Sequence, residues 1–332
     1  MSKSSNSFLV DCQQPTNPSR KRFLEWREGG VDCVHITLAV WENARETLSS
    51  IGKWNRMLSD NGDLIALAHN VEEINLIAKS KRTSVVFGFQ NTSPFEDDID
   101  LVEIFHSLGV RIAQLTYNVQ NNIASGCWED EDRGVSKYFG RNIIKEMNRH
   151  GMLIDISHCN LKSSFDAVEI SNRPIAITHA NPQEFVGLDI ELNKRNKPTD
   201  LINEVIQGGG VLGLSLYPKI MRGGSNATIE DFCNMIDWSV EKFGINSVGL
   251  GSDFFSGHNV NIIDWWRAGR WARESPLNAP SAFSPWPKWF QSPKDFPAIF
   301  EYLFKKGYKK EDISKIKGEN WMRLFKLSFD KK

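Results

Sequence analysis

LIDISH, residues 153–158, is an apolar run that ends on a histidine, and PIAITH, residues 174–179, repeats the pattern a helix-length later. Either two strands end on imidazoles by chance, or the chain aims two ligands at one point in space. Five further runs have the same character: DCVHITLAV (32–40), SVVFGFQ (84–90), RIAQLTY (111–117), GVLGLSL (210–216) and SVGLGSDF (247–254). A weaker one, SFLVDC (7–12), precedes them. Most carry apolar or β-branched residues on both parities, the pattern of parallel strands covered on both faces. Between them lie amphipathic stretches of helical period. NARETLSSIGKWNRMLSDNG (43–62), FGRNIIKEMNRHG (139–151) and TIEDFCNMIDWSVEKFG (228–244) each stop at a glycine, which adopts the φ > 0 of a helix end without strain.

Eight strands alternating with helices predict an α/β fold, a (β/α)8 TIM barrel, with an open doubly wound sheet as the competitor. The placement of polar residues decides between them. Gln90, Tyr117, His158, His179 and Asp253 each fall at the C-terminal end of a predicted strand. In a barrel those ends converge on one mouth, where barrel active sites are built, whereas an open sheet strings them along an edge. The expected organisation is a single barrel domain over residues 1–332. Within it, a Trp- and Pro-rich loop (257–292) covers the mouth and closing helices occupy 293–332.

Composition removes several function classes. The chain is 40% hydrophobic and has a formal net charge of -1, so it offers no basic field for nucleic acid. It also lacks a Lys/Arg run for a membrane surface. Five scattered cysteines form no C-x-x-C, which argues against a disulfide framework or zinc ribbon and for a reducing compartment. The opening MSKSSNSFLVDCQQP has no signal-peptide core and no segment approaches a membrane span, so a soluble, cytoplasmic protein is expected.

The strand-end residues carry the chemistry. Neutral imidazole is the commonest protein metal ligand, and His158 and His179 on neighbouring strand ends suit one divalent ion. Asp253 would supply an oxygen ligand or a base for activated water. Any one of them alone reads as a hydrogen-bonded rim residue; three at converging strand ends read as a site. Arg195 offers bidentate recognition of a carboxylate, or is a solvated loop arginine beside Lys194 and Lys197. Cys159 reads as a buried inert thiol. His258 follows Asp253 closely enough to reach the mouth or to sit in the loop, while His35, His69, His106 and His150 show no partner in sequence. Five of the eleven tryptophans (Trp265, Trp266, Trp271, Trp286, Trp289) fall within 257–292. They read as a lid, as packing, or as a cation–π cage for a methylated ammonium.

The segments LIDISH, AITHAN, NKRNKPTD and SVGLGSDF resemble, in order, the blocks of the renal (membrane) dipeptidase family, peptidase family M19. LVEIFHSLGVRIAQLTYN and IKGENWMRLF match its supporting segments, and the resemblance runs from about residue 8 to 328. It implies a barrel, usually dimeric, with two zinc ions bridged by a glutamate. By position, His158 and His179 resemble ligands of the second metal, and Asp253 a ligand and proton acceptor at the first. Arg195 resembles the arginine that receives a dipeptide carboxylate.

The departures are as informative. Where the family's first strand ends in H-x-D, this chain has VDCQQP, with Gln13 and Pro15 in those places. Gln90 replaces the bridging glutamate and Tyr117 a substrate-contacting histidine. A proline side chain binds no metal, and a neutral amide cannot offset two close cations. The first metal site is expected to be lost, leaving one zinc per chain on His158 and His179, with the Gln90 oxygen, water, and Asp253 at the edge. The expected function is a metal-dependent, dipeptidase-like hydrolase of C–N bonds in a dipeptide or small amino-acid derivative. The alternative is a non-catalytic barrel (a pseudoenzyme) binding a small carboxylate or methylammonium ligand.

Overall fold

The computed structural model describes residues 8–187, 193–258, 260–270 and 284–329. Nine parallel strands form the sheet: β1 (Val10–Gln14), β2 (Cys33–Ala39), β3 (Ile65–Leu67), β4 (Thr83–Phe89), β5 (Val110–Gln114), β6 (Leu153–Asp155), β7 (Ala176–Ile177), β8 (Val211–Leu214) and β9 (Val248–Leu250). Eight of them close a ring: β2 pairs with both β1 and β4, the ladder continues through β5 to β9, and Asp11 of β1 meets Leu250 of β9. The fold is the expected (β/α)8 barrel.

Strand β3 was not expected from the sequence. Ile65–Leu67 pairs with the first half of β4 at Thr83–Val85, leaving the second half to pair with β5. It lies between the helices Ala44–Asp60 and Val71–Lys79, too short to show a period.

The helices begin and end where side chains satisfy their free backbone groups. Asn43 with Glu46, and Thr228 with Asp231, form capping boxes on the helices Ala44–Asp60 and Ile229–Phe243. The helix Phe139–His150 stops at Gly151, whose φ of 79° is strain-free only without a side chain.

One end of the barrel is sealed by the C-terminal helix Asn320–Phe329. Trp321, Leu324, Phe325 and Phe329 pack with Val10, Cys33, Val86, Leu153 and Val211 from the beginnings of the strands. Trp321 donates to the Leu250 carbonyl at 3.0 Å, and a Cβ on Gly249 would lie 2.4 Å from its indole nitrogen. The closed end is therefore apolar and tight, and the polar groups are left for the opposite mouth.

Candidate active site

At the mouth, His158 and His179 follow β6 and β7, and their Nε2 atoms stand 3.0 Å apart. Both side chains are buried. Their hydrogen-bond partners assign the tautomers. His158 Nδ1 lies 2.6 Å from Asn118 Oδ1, which only accepts, so the proton is on Nδ1. His179 Nδ1 lies 2.7 Å from Thr178 Oγ1. That hydroxyl spends its own proton on Asp155 Oδ2 at 2.6 Å, so it accepts from His179 Nδ1. Both Nε2 atoms are then bare lone pairs facing each other. Burial first, then the charge of Arg195, holds both imidazoles well below the usual histidine range and keeps them neutral.

Two lone pairs 3.0 Å apart repel unless a cation lies between them, and the spacing suits an ion about 2.0–2.1 Å from each nitrogen, as for zinc. The pair fits one divalent ion. Among the described residues no third His, Cys, Asp or Glu joins them in a metal-binding group, so the pair supplies two protein ligands for one ion and the two-metal set is not assembled. Where a first metal would need ligands, the chain has a neutral cluster. Gln13 Nε2 donates to Thr37 Oγ1 at 2.7 Å and Gln90 Nε2 to the same oxygen at 3.0 Å. Pro15 contributes only a carbonyl, which His258 Nε2 reaches at 3.1 Å. His258 packs edge-on to Trp266 and does not line the cavity.

A cavity of about 60 Å³ lies over His158, and Gln90, Tyr117, Arg195 and Asp253 line it with that histidine. His179 is fully buried and does not line it. Tyr117 stacks on the His158 ring, centroids 4.1 Å apart, and meets Trp41 edge-on. Asp253 takes the left-handed conformation (φ 56°), as does Asn118 (φ 58°), a strain that clusters at functional sites. Burial pushes the Asp253 carboxyl up to about 7, against the opposing pull of Arg195.

Arg195 is not a solvated loop residue. It is buried, with NH1 donating to the Ser157 carbonyl at 2.5 Å and NH2 to the His179 carbonyl at 3.1 Å. Lys197 is buried as well, donating to the Cys159 carbonyl at 2.5 Å, and burial pushes its ammonium down to about 8. Cys159 is an inert thiol, held up near 12 by burial.

The segment 257–292, expected as a loop over the mouth, is described at 257–258, 260–270 and 284–292. It contains the helix Val260–Ala268, from which Ile263, Trp266 and Arg267 line the cavity. Trp286 packs among Phe254, Phe255 and Phe290, and Trp289 on Phe232 and Phe290, with their indoles bonded to the Phe255 and Ala227 carbonyls. Among the described residues Trp266 is the only tryptophan of the segment at the cavity, and two arginines line it too. Trp271 lies outside the described residues.

Several residues that shape the site were not singled out from sequence. Asp155 accepts from Ser157 N and Oγ (3.0 and 2.6 Å), Thr178 N (3.1 Å) and Thr178 Oγ1, and so fixes the backbone beneath both histidines. Its place three residues before His158, and that of Thr178 just before His179, were visible signals. Asn118 and Trp128 gave none.

Residues 7–265 match the sequence profile of the membrane dipeptidase family, peptidase family M19. The dipeptidase aclJ of Aspergillus oryzae is 25% identical over 86% of this chain and 61% of its own length. The chain thus spans about three-fifths of that curated relative. An amidohydrolase from Pseudomonas aeruginosa superposes with a TM-score of 0.91 at 30% identity, over 98% of this chain and 97% of its own. A metallo peptidase from Rhodobacter sphaeroides, solved with a phosphinate mimic of the dipeptide L-Ala-D-Ala, shares the fold at TM-score 0.78 and 16% identity, over 97% of this chain and 99% of its own. With its own barrel and its two facing strand-end histidines, the chain belongs to the membrane dipeptidase family, peptidase family M19.

Proposed function

We propose that this chain is a metal-dependent, dipeptidase-like hydrolase that works with one zinc ion where its family implies two. The observation that carries the reading is the pair of bare Nε2 lone pairs of His158 and His179, 3.0 Å apart. His158 and His179 would hold the ion, with the Gln90 amide oxygen and solvent as further donors. A zinc ion there lowers the pKa of water and polarises a carbonyl oxygen.

The remaining work falls to the chain itself. Arg195, braced by two backbone carbonyls, keeps further N–H donors for a substrate carboxylate. The Asp253 carboxylate accepts the proton of the attacking water and returns it to the departing nitrogen. Its pKa near 7 suits both transfers at neutral pH. Tyr117 fixes the plane of His158 and supplies a wall to the substrate. The cavity is far below the roughly 300 Å³ of an ordinary small-molecule site, so a dipeptide needs a wider opening than this conformation provides.

A second reading, a non-catalytic carboxylate-binding barrel, is favoured by the neutral Gln13–Thr37–Gln90 cluster. Elemental analysis of the purified protein, beside a His158→Ala/His179→Ala variant and with a dipeptide panel assayed for free amine, separates the two. About one zinc per chain, lost in the variant together with hydrolysis, supports the enzyme. No metal after zinc is supplied, and no turnover, leaves the binding protein. Two metals per chain would overturn the mononuclear site. Five free, buried cysteines support a cytoplasmic setting, and no helix among the described residues is long and apolar enough to cross a membrane. A homodimer is expected from the family resemblance.

A further inference from the structure

Two cations are buried at the strand ends that carry the histidines, and the function proposed above employs one of them. Arg195 donates to the carbonyls of Ser157 and His179. Lys197 donates to the carbonyl of Cys159. The carbonyls on both sides of His158 therefore each hold a positive group, a guanidinium on one and an ammonium on the other. Arg195 is 4% exposed and Lys197 1%. Arg195 lines the cavity, whereas Lys197 does not. Among the described residues the hydrogen-bond partners of both side chains are these neutral carbonyls, and neither cation sits in an ion pair.

A buried charge without a counter-charge in contact is costly. The nearby carboxyls do not supply that contact. Asp155, 3.9 Å from His179 Nδ1, spends its oxygens on Ser157 and Thr178. Asp253 lines the cavity with Arg195 but makes no ion pair with it. Arg195 and Lys197 push both imidazoles the same way, against taking up positive charge, so the field of both cations reaches the two rings. Burial lowers the Lys197 ammonium to about 8, which leaves it charged at pH 7. A divalent ion between the Nε2 atoms adds to this positive surplus, and an anion beside it offsets the surplus.

We infer that Lys197 is a second determinant of charge selection at this site: with Arg195 it disfavours the bare divalent ion and favours an anion, so that metal and anionic ligand load together. The ligand class is an amino-acid carboxylate acylated on its nitrogen, a dipeptide among them. Lys197 touches neither ion nor ligand and acts through its charge, which an interior of low dielectric screens poorly. Metal and anion then raise each other's affinity by the same factor. The metal half of the inference rests on the hydrolase reading, whereas the anion half holds for the barrel with or without an ion.

The test is calorimetric titration of the full chain at pH 7, metal-free and zinc-loaded, with N-acetylglycine and its neutral counterpart N-acetylglycinamide. Zinc affinity is read by chelator competition, alone and with each compound present. Wild type, Lys197→Met, Lys197→Arg and a second neutral variant, Lys197→Gln, are compared, with circular dichroism to check folding. In wild type, zinc should bind at least about tenfold more tightly beside N-acetylglycine than beside the amide, within the usual range for coupled sites. Lys197→Met and Lys197→Gln should move the two affinities in opposite directions. N-acetylglycine should weaken roughly tenfold, and zinc alone should tighten by at least as much, because the ion carries twice the charge. Lys197→Arg should keep both near wild type. A merely structural role for Lys197 would loosen His158 and Arg195 together and weaken both ligands. Neutral variants that weaken both, or change neither, would therefore overturn the inference, as would equal zinc affinity beside the two compounds. No zinc uptake, with N-acetylglycine still weaker in the neutral variants, would defeat the hydrolase reading and leave the role of Lys197 in anion binding standing. Zinc uptake with both affinities shifted the same way would do the reverse.

Discussion

Asp155→Asn tests whether the tautomer of His179 makes the metal site. The side chain is buried and accepts four hydrogen bonds, three of them on Oδ1 from Ser157 N, Ser157 Oγ and Thr178 N. An amide nitrogen placed there would face three donors, so it takes the Oδ2 position, partnered by Thr178 Oγ1. The new N–H then donates to that hydroxyl, and the hydroxyl proton turns to His179 Nδ1 at 2.7 Å. His179 must move its own proton to Nε2. That N–H points at the His158 Nε2 lone pair 3.0 Å away, forming a neutral hydrogen bond where an ion would sit. Folding should suffer little. Four charge-assisted bonds fall from about 1.5–3 to about 0.5–1.5 kcal/mol each, but the several kcal/mol cost of burying the carboxylate disappears as well. Zinc affinity should fall at least 10- to 100-fold, about 1.4–2.7 kcal/mol, the usual effect of losing a group that orients a ligand. Chelator competition reads the affinity, and long-range 15N–1H spectra of the histidines read the tautomer. Wild-type zinc affinity with the proton still on Nδ1 of His179 would refute the reasoning.

Two further outcomes follow from the barrel interior. In Gly88→Ala the new Cβ would sit 2.0 Å from His35 Nε2 and 2.7 Å from the Ile112 carbonyl, and His35 is held by its 2.9 Å bond to the Cys12 carbonyl. Overpacking should cost about 1–3 kcal/mol, and an unchanged urea midpoint would show that His35 yields freely. Burial, outweighing the bonds from Ser252 and Gln14, raises Asp11 from 3.8 to about 6. Because the folded pKa is the higher one, the folded chain holds more protons between about pH 4 and 6, and this group's contribution to stability falls as pH rises through that window. The full effect is about 3 kcal/mol above pH 6. The difference in urea-unfolding free energy between wild type and Asp11→Asn should therefore slope from pH 4 to 6.5, and a flat difference would count against the shift.

The eight ring strands were legible as short, largely apolar runs, several of them closed by a polar residue as in LIDISH and PIAITH, with SFLVDC the weakest. β3 was not legible, since three residues carry no period and its pairing with β4 is entirely non-local. His158, His179, Gln90, Tyr117, Arg195 and Asp253 were all readable as candidates from strand ends and family blocks, and the replacement of the H-x-D pair by Gln13 and Pro15 lies on the face of the sequence. Where the residues alone left alternatives open, the structure shows Trp286 and Trp289 packed among phenylalanines and Arg195 buried on two carbonyls.

What the sequence determined by itself is the set of local choices: strand against helix, where each run stops, and which chemical groups stand at the stops. Only the tertiary structure decided which way those groups face. The bare Nε2 pair depends on Asn118, Thr178 and Asp155, and the buried ammonium beside it on the bond that Lys197 makes to the Cys159 carbonyl. The physical reason is that periodicity and capping act over a few residues. Hydrogen-bond direction, tautomer and charge balance are set by neighbours brought together only when the barrel closes.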